Sequence, residues 1–184
     1  MNRNYILCAL PVVAFIAFNS CIKETVFNEV KVNGQYSVLI PEYLTPAAGM
    51  HQQASLQYQN EEKEIYVLVI NESKADMQAY DLNYDIDTYY KNIVSTPFLE
   101  TLKNGKVSIP GRQEINGNKA LVAEITGVLN GIDVYYKMAV IETNKKFYQV
   151  LTWTRADRKE KYEKDLFKII ESVKEINNEE EKKK

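Results

Sequence analysis

Two Asn-Gly pairs, Asn116-Gly117 and Asn130-Gly131, constrain the fold of this chain more than any other feature. The two central positions of a tight hairpin turn need positive φ, which Asn and Gly tolerate better than other residues. Each pair separates extended, largely apolar runs: 107–115 before the first, 119–127 between them, and 132–142 after the second. A fourth run, 147–154, follows the polar stretch 143–146. The pattern predicts an antiparallel meander of four strands.

Upstream, residues 35–40 form a strand candidate ended by Pro41, and 54–59 form a second. Residues 64–71 form a third, in which Ile65, Val67 and Val69 alternate with Tyr66, Leu68 and Ile70. Both of its faces are apolar, as expected of a central strand covered on both sides. The polar stretch 60–63 joins these last two strands in the manner of a hairpin. Over 83–95 the period changes: Ile86, Tyr89, Tyr90, Ile93 and Val94 recur at helical spacing behind Asp85 or Asp87 as N-cap. Pro97 is expected to end or redirect this helix, 98–102 to add a turn, and Asn104-Gly105 to cap it. A second helix is expected from Asp157, with Glu160 at capping-box spacing. Its apolar stripe is Tyr162, Leu166, Ile169, Ile170, Val173 and Ile176.

The 184 residues suit one domain preceded by a processing segment. Residues 1–20 carry one positive charge, Arg3, and an apolar run over 5–18, too short to cross a bilayer core of about 20 residues. The run ends in Phe18-Asn19-Ser20-Cys21, which resembles a bacterial lipobox: a large apolar residue, a variable one, a small one, then cysteine. The resemblance implies cleavage between Ser20 and Cys21, with acyl chains on Cys21 anchoring the protein to a membrane. Two or three such chains hold stably, at about 0.8 kcal/mol per buried methylene. A plain secretory signal and an uncleaved anchor are the competing readings. Residues 21–33 are expected as the lipidated cysteine and a tether, with Val26, Phe27, Val30 and Val32 leaving room for an edge strand. The domain is expected over 34–176, and the charged end 177–184 is expected to be disordered.

Without residues 1–20 the chain has 25 acidic and 22 basic residues, a net charge near −3. Nucleic acid is therefore not an expected partner, because phosphate binding needs a concentrated basic face. The two cysteines, Cys8 and Cys21, both fall at the N-terminus and leave no disulfide framework or multi-cysteine metal site for the domain.

Three stretches also resemble the PsbP-like family, which includes the bacterial DcrB proteins. They are Tyr36-Ser37-Val38-Leu39-Ile40-Pro41, Ile115-Asn116-Gly117-Asn118-Lys119-Ala120, and the segment from 127 to 174. The last contains Gly127-Val128-Leu129-Asn130-Gly131, Tyr148-Gln149-Val150-Leu151-Thr152 and Phe167-Lys168-Ile169-Ile170-Glu171-Ser172-Val173-Lys174. The resemblance implies an α+β fold, an antiparallel sheet flanked by helices on both faces. It also implies an accessory, non-enzymatic role, and it carries no site residues with it.

No motif for catalysis stands out. His51 is the only histidine and is expected in an exposed loop. Asp81, Asn83, Asp85 and Asp87 alternate like calcium ligands, yet Ile86 and Asn92 occupy the places where an EF-hand loop needs Gly and Glu. No cofactor or metal is expected. Tyr80, Tyr84, Tyr89 and Tyr90 crowd the start of the first helix and form the expected interaction surface, since tyrosine offers apolar area with a polar tip. Helical spacing equally allows Tyr89 or Tyr90 to face the core. The leading expectation is a lipid-anchored accessory protein of the bacterial envelope, at the outer membrane, that contacts an envelope protein. The alternatives are a small-ligand binder with a cleft between the Tyr-rich helix and the sheet, and an unrecognised hydrolase.

Overall fold

The computed structural model describes residues 24–176. The segment expected as a signal, 1–20, the expected cleavage pair Ser20 and Cys21, and the tail 177–184 lie outside the described residues. The strands run β1 (Phe27–Val32), β2 (Tyr36–Pro41), β3 (Thr45–Pro46), β4 (Ala54–Asn60), β5 (Ile65–Ser73), β6 (Lys103–Val107), β7 (Gly111–Ile115), β8 (Asn118–Leu129), β9 (Ile132–Glu142), β10 (Lys146–Arg155) and β11 (Lys174–Glu175). The helices are α1 (Lys74–Gln78), α2 (Ile86–Tyr89), α3 (Thr96–Glu100) and α4 (Lys159–Glu171).

Eight strands form one antiparallel sheet in the order β3-β4-β5-β10-β9-β8-β6, with β7 also paired to β8. A second sheet has the order β1-β2-β11. The large sheet is covered on both faces, and β5 shows why its sequence is apolar throughout. Ile65, Val67 and Val69 join the core under α4 and the small sheet, whereas Leu68 and Ile70 join the core under α1–α3. Leu166, Ile169 and Ile170 of α4 are fully buried, and such side chains each contribute about 1.5–3 kcal/mol. Both Asn-Gly pairs form the expected turns: φ is 49° and 80° at Asn116 and Gly117, and 51° and 83° at Asn130 and Gly131.

Several local expectations are corrected. The stretch 21–33 is not all tether, because residues 27–32 pair with β2 in an unbroken antiparallel register. Phe27 and Val30 pack on the core and Val32 enters it, so these apolar side chains recover more by pairing than by staying solvated. The run 107–115 is two strands. Pro110 has no N–H for the ladder, and the chain kinks there, leaving Ile109 94% exposed. Asn104-Gly105 does not cap a helix but lies in β6, where the register with β8 shifts and Asn104 takes φ 56°. Asp157 does not cap α4. Arg155 takes its carboxylate through Nε and Nη2 at 3.1 and 2.9 Å, and a 3-10 turn over Ala156–Arg158 starts the helix instead.

The helix expected over 83–95 is one continuous helical segment of three stretches, α, π and α again. Asp85 caps it by accepting from the Thr88 N–H at 2.8 Å. α2 then passes through a wider π-type stretch, Tyr90–Ser95, into α3. Pro97 has no N–H to give the carbonyl four residues back and its ring crowds that carbonyl, so the widened turn lets the segment continue past it. This segment lies across the large sheet and defines the region of chemical interest.

Candidate functional site

The face of the large sheet under this segment is a regular grid, because β5, β10 and β9 are neighbours in matched register. Its first row is Ile70, Gln149 and Val140, its second Leu68, Leu151 and Met138, and its third Tyr66, Trp153 and Tyr136. Val94, Pro97, Phe98 and Thr101 stand over the grid on one side, and the loop bearing Met50 and His51 closes another. Between floor and cover lies a cleft of about 490 Å3, within the range of small-molecule sites. Its position, between the α2–α3 segment and the sheet, is where a ligand-binding reading of the sequence expects one, between the Tyr-rich helix and the sheet.

The third row is an aromatic ladder. Trp153 stacks between Tyr66 at 5.1 Å and Tyr136 at 5.4 Å, and Phe98 meets Tyr136 edge-on at 4.8 Å. Such pairs add about 0.5–1.5 kcal/mol beyond their buried area and hold the rings in place. At the opposite end of the grid stands Gln149, 8% exposed. Its Nε2 donates to Tyr89 Oη at 2.8 Å and to Glu72 Oε2 at 3.2 Å, and Tyr89 itself donates to Glu72. Burial pushes the Tyr89 phenol above its ordinary pKa, and the Glu72 carboxylate raises it further, so the phenol stays a donor. Gln149 lines the cleft, and both of its hydrogen bonds are made through Nε2, so that among the described residues Oε1 has no donor. Tyr136 lines the same space, its hydroxyl makes no hydrogen bond among the described residues, and burial holds its pKa up at about 12. An amide and a protonated phenol thus join a mostly apolar lining, with Thr101 and His51 as its other polar members.

The four tyrosines expected as an interaction surface do not share one surface. Tyr89 is fully buried and Tyr90 is 7% exposed, because they share the apolar side of the segment with Ile86. Tyr80 is 80% exposed and borders a shallow depression with Asp76 and Glu72, whereas half-buried Tyr84 borders another with Lys74 and Glu142. His51 is an exposed loop residue, as expected, at the rim of the cleft; its Nδ1 accepts from the Gln53 N–H. Gln57 Oε1 accepts from the Met50 and His51 N–H groups at 2.8 and 3.2 Å and so fixes that rim. The aspartates that alternate like calcium ligands are used separately: Asp85 caps α2, and Asp87 pairs with Arg112 at 2.5 Å.

Two charged clusters lie elsewhere. Glu124 accepts from Lys137 and Lys159 at 2.8 and 2.9 Å. Desolvation pushes its pKa up, but those hydrogen bonds outweigh it and hold the carboxyl at about 2. Glu64 meets Arg158 at 3.0 Å and Arg155 at 3.7 Å. A wider depression of about 570 Å3 by the β8–β9 turn carries Lys106, Arg155, Asp133 and Asp157, of both signs and on no common focus. The apolar cleft has the more definite chemistry.

The sequence of the chain matches no protein-family profile and no curated protein. Its structure is similar to several solved ones. Cyanobacterial PsbP (CyanoP) from Synechocystis sp. PCC 6803 superposes with a TM-score of 0.59 at 12% identity, covering 83% of this chain and 94% of that one. Mog1p, a Ran-binding protein of Saccharomyces cerevisiae, gives 0.56 at 10% identity over 85% and 98%. LpqN, a Mycobacterium tuberculosis protein involved in cell envelope biogenesis, gives 0.55 at 12% identity over 77% and 83%. At these identities the likeness speaks for the fold: antiparallel sheet, covering helices and order of elements together make this a chain of the PsbP-like fold.

Proposed function

We propose that this chain is a lipid-anchored, non-enzymatic binding protein of the bacterial cell envelope, and that its binding element is the cleft between the α2–α3 segment and the large sheet. The observation that carries the reading is the cleft itself. Its lining is mostly apolar and aromatic, its walls come from strands and a buttressed helical segment, and Gln149 and Tyr136 add polar groups to it. Sites that bind small molecules combine these properties. The anchor rests on Phe18-Asn19-Ser20-Cys21 and on the apolar run before it. That a protein of this fold takes part in cell envelope biogenesis supports the setting.

Trp153 is the only tryptophan of the chain and lines the cleft, so its emission reports occupancy. Residues 24–176 contain both cores and every strand of the two sheets. A chain spanning 22–184 therefore keeps everything the cleft is built from and dispenses with the anchor. Titrating it with N-phenyl-1-naphthylamine, a neutral apolar dye, should quench Trp153 saturably and raise the melting temperature. A linear, non-saturable response with an unchanged melting temperature would refute the cleft as a binding element.

A second reading, contact with an envelope protein, is favoured by the exposed Ile109 and Tyr80, at 94% and 80%. Crosslinking in cells that express the protein naturally tests it, since replacing both residues by Ser should abolish a specific adduct.

A further inference from the structure

The charge and hydrogen-bonding pattern inside the cleft narrows what it takes. None of the lining residues is Lys, Arg, Asp or Glu. Away from the exposed His51 at the rim, a ligand charge inside the cleft would be desolvated with no counter-ion on the walls, and burying an unpaired charge is costly. Glu72 stands behind Gln149 and holds the amide by its Nε2, so Oε1 is the atom presented to the ligand. An acceptor backed by a carboxylate disfavours an anionic group at that end. It favours a neutral donor, which is the hydrogen-bond partner Oε1 otherwise lacks. From Gln149 to Trp153 the floor extends by four residues of strand, about 13 Å. Leu68, Leu151 and Met138 make the middle of it, and aromatic faces the far end.

We infer that the cleft selects an uncharged, elongated amphiphile: a hydrocarbon arm lying along β10, ended by a hydroxyl or primary amide that donates to Gln149 Oε1. This inference rests on the cleft being the binding element and adds the chemical class of its ligand. Gln149 acts as the selecting residue. Tyr89 and Glu72 act through it by fixing which end of the amide faces inward. Leu151 and Trp153 accept the hydrocarbon arm without reading its identity.

The test uses the 22–184 chain and ligands that share one ten-carbon arm: 1-decanol, 1-methoxydecane, decanoate and decylammonium, each followed by Trp153 emission. The expected result is saturable binding of 1-decanol, with 1-methoxydecane at least fivefold weaker because it has no donor, and both ions at least tenfold weaker. Gln149→Leu should bring 1-decanol and 1-methoxydecane within twofold of each other. Leu151→Phe, which keeps Gln149 but narrows the floor, should weaken all ligands at least tenfold. Its melting curve shows whether the fold is kept, and the four-ligand comparison on the unsubstituted chain decides the matter if Gln149→Leu fails to fold. Equal binding of 1-decanol and either ion, or of 1-decanol and 1-methoxydecane, overturns the ligand class while leaving the cleft as a binding element. No saturable binding of any ligand overturns both, and binding unaffected by Leu151→Phe places the ligand outside the cleft and does the same.

Discussion

The side-chain amide of Gln149 donates to the hydroxyl of Tyr89 at 2.8 Å, tying the floor of the cleft to the helical segment that covers it. Tyr89 in turn donates to Glu72, which also accepts from Gln149, so three side chains close a small buried ring of hydrogen bonds. The ring joins β5, β10 and α2, elements far apart in the chain, and Tyr89 stacks on Phe147 at 4.1 Å beside it.

Breaking that ring should be felt in stability. Tyr89→Phe and Gln149→Leu are each expected to cost about 1–3 kcal/mol, the range for leaving a buried polar group unsatisfied. Because the two residues share Glu72, the double variant should cost less than the sum of the singles. Urea denaturation of the four proteins measures this directly. Additive losses would show that the ring is not cooperative. Tyr80→Ala, at an 80% exposed position, should change stability by less than about 0.5 kcal/mol.

The Glu124 cluster predicts a pH signature. Its carboxyl has a folded pKa of about 2, below its ordinary value of 4.5. A depressed folded pKa stabilises the native state above the unfolded value, and that contribution is lost as pH falls from about 4.5 through 2. Glu124→Gln should therefore lower the melting temperature most near neutral pH, and the gap to wild type should close as pH falls toward 2. The cluster is partly exposed and so partly screened, which limits the cost near neutral pH to about 1 kcal/mol. A gap independent of pH over this window would mean that Glu124 contributes through packing alone.

Two glycines should fail for different reasons. Gly131 takes φ 83° in the β8–β9 turn, and a Cβ there would meet nothing within 4 Å. Gly131→Val then costs backbone strain, about 1–2 kcal/mol or more for a β-branched residue, while Gly131→Asn is much milder. Gly127 is the reverse case: a Cβ would lie 3.0 Å from Leu102 Cβ and 3.2 Å from Gly105 Cα. Gly127→Ala is expected to cost about 1–3 kcal/mol by overpacking. Trimming Leu102 to Ala in the same chain should recover part of that loss, and should recover nothing for Gly131→Val. Thermal or urea unfolding of the series separates the two.

The anchor has its own test. Expressed in a bacterial host, the wild-type chain should lose residues 1–20, gain lipid mass and pellet with membranes, whereas Cys21→Ser should remain an unlipidated precursor. Intact mass with membrane fractionation reads both. Release of both proteins as soluble chains cut at another position would remove the anchor from the proposal.

Local signals carried most of the fold. The Asn-Gly pairs announced their own turns because positive φ is a demand made by the turn alone, and the two-sided apolar pattern of β5 announced its central place. Where a local signal had a competing use, the tertiary structure decided. Asp157 had the spacing of a cap, but Arg155 two residues away offers a charged partner. Asn104-Gly105 suits a helix end and a bulge equally, and the close crossing of Gly105 with Gly127 makes it a bulge. The clustered tyrosines suggested a surface, but burial of Tyr89 and Tyr90 follows from Ile86 setting the inward side of the segment. The cleft was legible only as a place. Leu68, Tyr136, Met138, Gln149 and Trp153 are separated by up to 85 positions and meet only through strand register. The one local trace was a lone glutamine inside the apolar run Phe147-Tyr148-Gln149-Val150-Leu151, a polar residue that such a strand buries only with partners.

The early start of β1 would shorten the tether of a lipid-anchored form of the domain. Thr25 Oγ1 already donates to Asp165 of α4 at 2.8 Å, so only residues 22–24 remain between it and Cys21. With Cys21 acylated as proposed, that leash reaches at most about 14 Å when fully extended. It leaves the domain on the side of α4 and the small sheet, and the cleft opens on the other face of the large sheet. The proposed mooring and the cleft thus belong to opposite faces of the large sheet, so that an anchor at Cys21 would leave the cleft's lining free of the chain that tethers it.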